Sequence, residues 1–276
     1  MEGIRIAGGS VPGTLHTKVG QPAWTNNQDA FAWSDYGDGL VAVVCDGCGS
    51  SSHSELGARI GAHIVSHAVA SSLRLFDYGL PIENVLADAH LKSLMQLKQV
   101  AEATPGLEPE DLLFTIMGVF VTPDETAVFS VGDGVFAVNG EVTIIPEYPG
   151  NAPPYIAYAL DRLQKGLRID QEFDVRMCMP TSEMKSVLIG SDGVADFIES
   201  EDVPVGREHK PLGPLSEFWT DEKFVTNPDM IRRRLARANV ERVEDGRIKH
   251  GVLADDTTLV VIRRDEPQTR SEACQT

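Results

Sequence analysis

Four apolar runs in this chain meet an aspartate at one end: VAVVCDG (41–47), VFSVGDG (128–134), VLIGSDG (187–193) and ADDTTLVVI (254–262). Each run is too short for a helix and rich in β-branched residues, so each reads as a buried strand. In three of them the acid is followed directly by Gly. Asp-Gly is a favoured turn pair, so any one of these acids has an ordinary reading as turn chemistry. Four in one chain shift the balance. Strands of this kind stack into sheets, and facing sheets can bring several strand ends to one place. Clustered carboxylates repel one another unless a cation sits between them. Hard divalent ions such as Mg²⁺ or Mn²⁺ suit oxygen-only donors of this type. A Gly after the acid also lets the backbone carbonyl come close to an ion.

The rest of the chain reads as an antiparallel α+β protein. NNQDAFAW, LLFTIMGVFV, SVLIG and TTLVVIRR are further strand segments. ETAVFSVGDGVFAVNGEVTIIP is a series of short ones, with Asn139-Gly140 marking a two-residue hairpin. A helix is predicted from Ser54, which is placed to cap it. Its stripe is Leu56, Ile60, Ile64 and Ala68, with Gly57 and Gly61 alongside to allow close approach to a sheet. A second helix is predicted from about Pro81 to Ala103, ending before Pro105-Gly106. A third follows Asn227-Pro228-Asp229. Helices in separate blocks, with strands in hairpin series, oppose a parallel βαβ fold. One domain over residues 1–265 is expected, with a polar, disordered tail over 266–276.

The formal net charge is −17, from 24 basic and 41 acidic residues. Such a surface repels nucleic acid and is compatible with cations. No apolar run is long enough to span a bilayer. The first residues lack a charged-then-apolar signal pattern, so a cytoplasmic location is expected. Cys45 and Cys48 form a C-x-x-C, but a structural zinc site needs four ligands. Cys178 and Cys274 stand alone, and Cys45 reads as a small core residue. His63 and His67 share a helix face, and Arg232, Arg233 and Arg234 read as a solvated one.

The segments GTLHTKVGQPAWTNNQDAF, VAVVCDGCGSSSHSELGARIGA, FSVGDGVFAVNGE, VLIGSDGVADFI and ADDTTLVVI occur in the order of the motifs of type 2C metal-dependent protein serine/threonine phosphatases. They resemble the bacterial branch of that family over roughly residues 8 to 264. The resemblance implies a four-layer α/β/β/α sandwich, in which a central antiparallel β-sandwich is flanked by helix pairs. It also implies two Mn²⁺ or Mg²⁺ ions at one end of the sandwich. By position, Asp46 bridges both ions, the Gly47 carbonyl joins one of them, and Asp192 and Asp255 complete the pair. Asp29 belongs to the same cluster, with Gln28 where relatives often have Glu. Asp133, Asp192 and Asp196 match acids that can hold a weaker third ion.

The implied reaction is attack of a metal-bridging hydroxide on the phosphorus of phosphoserine or phosphothreonine. The implied partner is a phosphorylated protein, a serine/threonine kinase or its targets, met by a monomer that binds neither membrane nor nucleic acid. Several positions depart from the pattern. Trp24 stands where relatives place a phosphate-gripping Arg, leaving Lys18 and His16 as substitutes. Cys48 stands where some have His, Asp256 where most have Asn, and Gly134 where the usual motif has Ser. Two other readings share these residues: a phosphatase-like binding module without activity, and a small-molecule phosphoesterase.

Overall fold

The apolar runs do form strands, and the computed structural model shows why they are apolar on both faces. It describes residues 3–17, 27–51, 53–78, 80–167, 172–206, 208–244 and 247–265. Ten strands make two five-stranded antiparallel sheets. One holds β2 (Asp29–Tyr36), β3 (Gly39–Asp46), β4 (Ile116–Val121), β5 (Glu125–Val131) and β8 (Asp174–Pro180), in that order. The other holds β1 (Ile4–Val11), β14 (Thr257–Arg264), β9 (Ser186–Gly190), β6 (Gly134–Val138) and β7 (Glu141–Ile145). Two short ribbons pair β10 (Pro204–Val205) with β11 (Lys210–Pro211), and β12 (Arg242–Glu244) with β13 (Arg247–Lys249).

The sheets pack face to face, and helices cover both outer faces. Strand alternation divides the buried residues among three apolar layers. On β3, Leu40, Ala42 and Val44 point between the sheets, where they meet Met117, Ile189, Val260 and Ile262. Val41, Val43 and Cys45 point the other way, toward α1 (Ser54–Ser72) and α2 (Ile82–Ala103). The second outer layer is closed by short helices: α4 (Val194–Glu199), α5 (Glu217–Thr220), α6 (Lys223–Thr226) and α7 (Met230–Ala238). Phe197, Phe218, Phe224, Ile231 and Leu235 pack there on Leu259 and Val261. A remaining helix, α3 (Tyr158–Gln164), lies near α2. The result is an α+β fold with a β-sandwich between helical layers.

The hairpin at Asn139-Gly140 joins β6 to β7. Both residues have positive φ, 51° and 93°, as a primed two-residue turn requires. The second and third helices lie where the sequence placed them, and the Asn227 side chain accepts the Asp229 N–H at the entrance of α7. The first helix corrects two expectations. Leu56 is exposed, with Ile60 and Ile64 only partly covered. Ala68, Gly57 and Gly61 are buried as expected, and the rest of the buried line is Ala58, Ala62, Val65 and Val69. A Cβ at Gly57 would lie 1.8 Å from the Asp111 carbonyl, so small side chains set the helix-to-layer distance. Nor does Ser54 cap the helix, because its buried hydroxyl makes no hydrogen bond and His53 takes the cap position.

Arg234 is a third correction. Arg232 and Arg233 are solvated and share Asp229, but Arg234 is largely covered and paired with Glu217 at 2.9 Å. His63 and His67 are exposed, as a solvated helix face requires. By contrast His90 of α2 is buried edge-on against Phe173, and burial pushes its pKa down to about 4. Strand β1 is not evident in the sequence, because Gly8 and Gly9 interrupt it. At Gly9 the missing side chain is what lets α7 approach, since a Cβ there would lie 2.5 Å from the Arg232 nitrogen. Residues 266–276 lie outside the described residues.

Candidate metal centre

The acids singled out in the sequence gather at one end of the sandwich, each placed by a strand terminus. Asp29 opens β2 and Asp46 closes β3, and the two are register partners across the antiparallel pair. Their carboxylates therefore leave the same edge of one sheet. The other sheet contributes through β9 and β14. Gly190, the last residue of β9, pairs with Leu259, so Ser191-Asp192 and Asp255-Asp256 come together just beyond the strand ends. Asp133 sits on the step from β5 to β6, where the chain passes from one sheet to the other.

Ser191 ties the two halves. Its hydroxyl donates to Asp29 Oδ2 at 2.7 Å and accepts the Thr258 N–H at 3.1 Å. This residue was not anticipated; the only hint is its place before the Asp-Gly of VLIGSDG. Asp256 is the second unanticipated organiser. It is buried and accepts the Gly13 N–H at 2.7 Å and the Gln28 N–H at 2.6 Å, one with each carboxylate oxygen. It thereby fastens the exit of β1 to the entrance of β2. Gln28 itself is buried, held by its backbone.

The electrostatics are those of crowded acids. Burial raises the pKa of Asp46, and Asp29, Asp192 and Asp255 raise it further. Burial likewise lifts Asp29, helped by Asp256 and Asp192 and opposed by the Ser191 and Thr258 hydroxyls. Asp192 is pushed up to about 6 by burial and by Asp255 and Asp133. Asp255, at the exposed rim, is raised by loss of solvent and by the Asp256 charge, against a hydrogen bond from the Asp256 N–H. Burial and Glu147 raise Asp133. Among the described residues, no Lys or Arg forms an ion pair with any of these five acids.

Two buried oxygens, Asp29 Oδ1 and Asp133 Oδ2, make no hydrogen bond. Buried acceptors without partners are costly, and here they belong to a wholly anionic cluster. That donor set fits a hard divalent cation. Among the described residues the Gly47 carbonyl accepts no backbone hydrogen bond outside regular elements. The bridge between Gly47 and Phe114 uses the Asp46 carbonyl and the Cys48 N–H on either side of it.

The other expected residues divide. Asp196 lies toward Asp255, and its Oδ2 accepts the Ala254 N–H at 2.8 Å, so one of its oxygens holds the 254–255 turn. Asp192 has Asp133 as a charged neighbour, whereas Asp196 acts on Asp255. His16 reaches the cluster, with Nδ1 2.8 Å from Asp256 Oδ1. Contact with Asp256 raises its pKa against partial burial. Lys18 and Trp24 lie outside the described residues. Cys48 places its thiol 3.1 Å from the Ser50 hydroxyl, and Cys45 is fully buried in the core, so the C-x-x-C is split between core and site.

Comparison with known proteins bears on the family and the fold. Serine/threonine-protein phosphatase 3 of Escherichia coli (strain K12) is 26% identical over 136 residues, 49% of this chain and 53% of that protein. The aligned region thus spans about half the length of that curated relative. Among solved structures, the catalytic domain of the serine/threonine protein phosphatase PstP, in complex with two manganese ions, superposes with a TM-score of 0.51 at 17% identity. That alignment covers 95% of this chain and 99% of that one. The S. agalactiae serine/threonine phosphatase gives a TM-score of 0.51 at 13% identity, covering 95% of this chain and 100% of that one. At such identities the structural likeness speaks to the fold alone. The family model for protein phosphatase 2C matches residues 12–223, most of the sequence, and the chain belongs to that family.

Proposed function

We propose that this chain is a divalent-metal-dependent phosphatase acting on phosphoserine and phosphothreonine in proteins. The observation that carries the reading is the convergence of Asp29, Asp46, Asp133, Asp192 and Asp255 at the ends of both sheets, with buried oxygens left unpartnered. Asp46 and the Gly47 carbonyl, with Asp192 and Asp255, would hold a pair of Mn²⁺ or Mg²⁺ ions. Asp133, Asp192 and Asp196 would hold a weaker third. Bound divalent ions supply an activated water at neutral pH and neutralise charge on a phosphoryl group.

The chain's own part is to hold its acids fixed and close together, where bound cations would keep them ionised. Asp29 is locked by Ser191, so its free oxygen keeps its aim toward the cluster. Asp256 anchors the two segments that bring Gly13 and Gln28 to the rim. Asp196 props the turn that presents Asp255. A fixed constellation of this kind spends no reorganisation energy when charge develops on the substrate. The protein residue beside Asp46-Gly47 is Cys48, and no protein general acid is assigned; solvent protonates the departing alkoxide.

The partner this implies is a phosphorylated protein, a kinase or a kinase's target, met by a monomer in the cytoplasm. Among the described residues no helix is long and apolar enough to cross a membrane. The test is phosphate release from phosphoserine and phosphothreonine peptides, beside sugar phosphates and nucleotides, with and without Mn²⁺. Metal-dependent turnover of the peptides is expected. Turnover of the small molecules alone would assign a small-molecule phosphoesterase, and no turnover of either would leave a binding module.

A further inference from the structure

His16 is delivered to the acid cluster by its backbone. The N–H groups of Thr14 and Leu15 donate to the carbonyls of Leu253 and Ala254 at 2.9 and 3.1 Å. The two segments therefore run side by side, and the next residue of each meets the other: His16 opposite Asp255-Asp256. The imidazole Nδ1 is buried and makes no hydrogen bond, although Asp256 Oδ1 lies only 2.8 Å away. That distance suits an imidazolium–carboxylate ion pair, and it is equally the separation of neighbouring ligands on one ion. Two donors each about 2.1 Å from a metal and 2.8 Å apart subtend roughly a right angle, as octahedral coordination requires.

One ligand atom each from His16, Asp255 and Asp256 lies within 4.8 Å of the others. Opposite ligands of such an ion stand about 4.2 Å apart, so a small side-chain adjustment of Asp255 at the rim completes the set. Asp256 already accepts two amide hydrogen bonds, which fix its orientation. A carboxylate has about four lone-pair sites, so it retains capacity for an ion.

We propose that His16, Asp255 and Asp256 together bind a divalent transition-metal ion through one imidazole nitrogen and carboxylate oxygens, making this part of the centre select Mn²⁺ over Mg²⁺. The inference deepens the metal-dependent reading above. An all-oxygen site suits Mg²⁺ well, and an imidazole nitrogen shifts the balance toward first-row transition metals.

The experiment uses the full chain loaded with Mn²⁺ alone. Pulsed electron paramagnetic resonance should show ¹⁴N coupling from one imidazole, lost in His16→Ala. Calorimetric titration should show the Mn²⁺-over-Mg²⁺ preference falling by about tenfold or more in that variant, the scale of losing a metal-supporting group. His16→Gln, with similar bulk, guards against a folding defect and should behave like His16→Ala. Mn²⁺ binding without nitrogen coupling, or coupling and preference that survive both substitutions, would overturn the assignment. So would a loss of inorganic phosphate affinity with metal binding unchanged, because His16 would then be a substrate contact. Metal binding is read here without catalysis, so a chain that binds as stated yet releases no phosphate would sink the phosphatase reading and leave this one standing.

Discussion

The antiparallel pair β1–β14 carries a charge cluster at each end, and the two are built on opposite terms. At one end Arg5 and Arg263 are register partners. Both reach Glu222, and both have Asp265 nearby, at 3.0 Å from Arg5 and 3.9 Å from Arg263. Every acid there has a guanidinium, and the pKa of Glu222 is lowered, first by its hydrogen bond from Arg263. At the other end the same strands lead into Asp255 and Asp256, beside Asp29, Asp46 and Asp192. There the pKa values of Asp29, Asp46, Asp192 and Asp255 rise instead, chiefly through burial and then through one another. Glu222 and Asp265, at the structural end, are balanced by Arg and partly solvated. The acids left buried or half-buried and unbalanced work against stability, which marks them as a ligand site.

Substitution tests this contrast most sharply. Asp46→Asn should lower phosphate release by at least ~100-fold at saturating Mn²⁺, the scale of removing one preorganised electrostatic group. Circular dichroism should show it folded. Glu222→Gln should leave turnover essentially unchanged. Equal effects of the two substitutions would erase the distinction between the clusters.

Metal removal is the next test. Mn²⁺ at about 100 times its dissociation constant should stabilise the protein by about 2.7 kcal/mol, reversibly with EDTA. A thermal-shift series should show that gain preserved in Glu222→Gln and blunted in Asp46→Asn. A gain of equal size in Asp46→Asn would place the ion elsewhere.

The smallest effect is on pH, where the two ends have opposite signs. Asp192 rises from the ordinary 3.8 to about 6 in the folded chain. Between those values the metal-free folded protein holds more protons than the unfolded one. Its contribution therefore weakens stability as pH climbs from about 4 to about 6. Glu222 is lowered from 4.5, so the stability it adds is present above that value and is lost only as pH falls further. Melting temperatures in EDTA should accordingly decline from pH 4 to 6, and saturating Mn²⁺ should flatten the decline. A metal-free profile that rises throughout would mean the acid cluster is less strained than its crowding implies.

The two helical layers show where sequence reading succeeds. α2 and the Asn139-Gly140 hairpin were legible because each is specified within a few neighbouring residues, by periodicity or by turn chemistry. α1 was legible as a helix but not in its buried face, since Leu56 looks more apolar than Gly57 until Asp111 is known to press on that glycine. The short helices α4 to α6 have too few turns to show a period. Edge strand β8, with none of its side chains fully buried, and glycine-interrupted β1 also lack a local signal.

The strand-end acids follow from the sequence by itself, because an apolar run that stops at aspartate states locally where the strand ends. Their ordering along the chain likewise suffices for the family resemblance. What the acids face is a matter of tertiary structure alone. That Asp29 and Asp46 share a register position depends on how β2 and β3 pair. That Ser191 bridges to Asp29 depends on how the two sheets stack. That His16 meets Asp255 and Asp256 depends on opposite ends of the chain running side by side. Such contacts arise from strand pairing and sheet packing over long separations, and no local propensity encodes them.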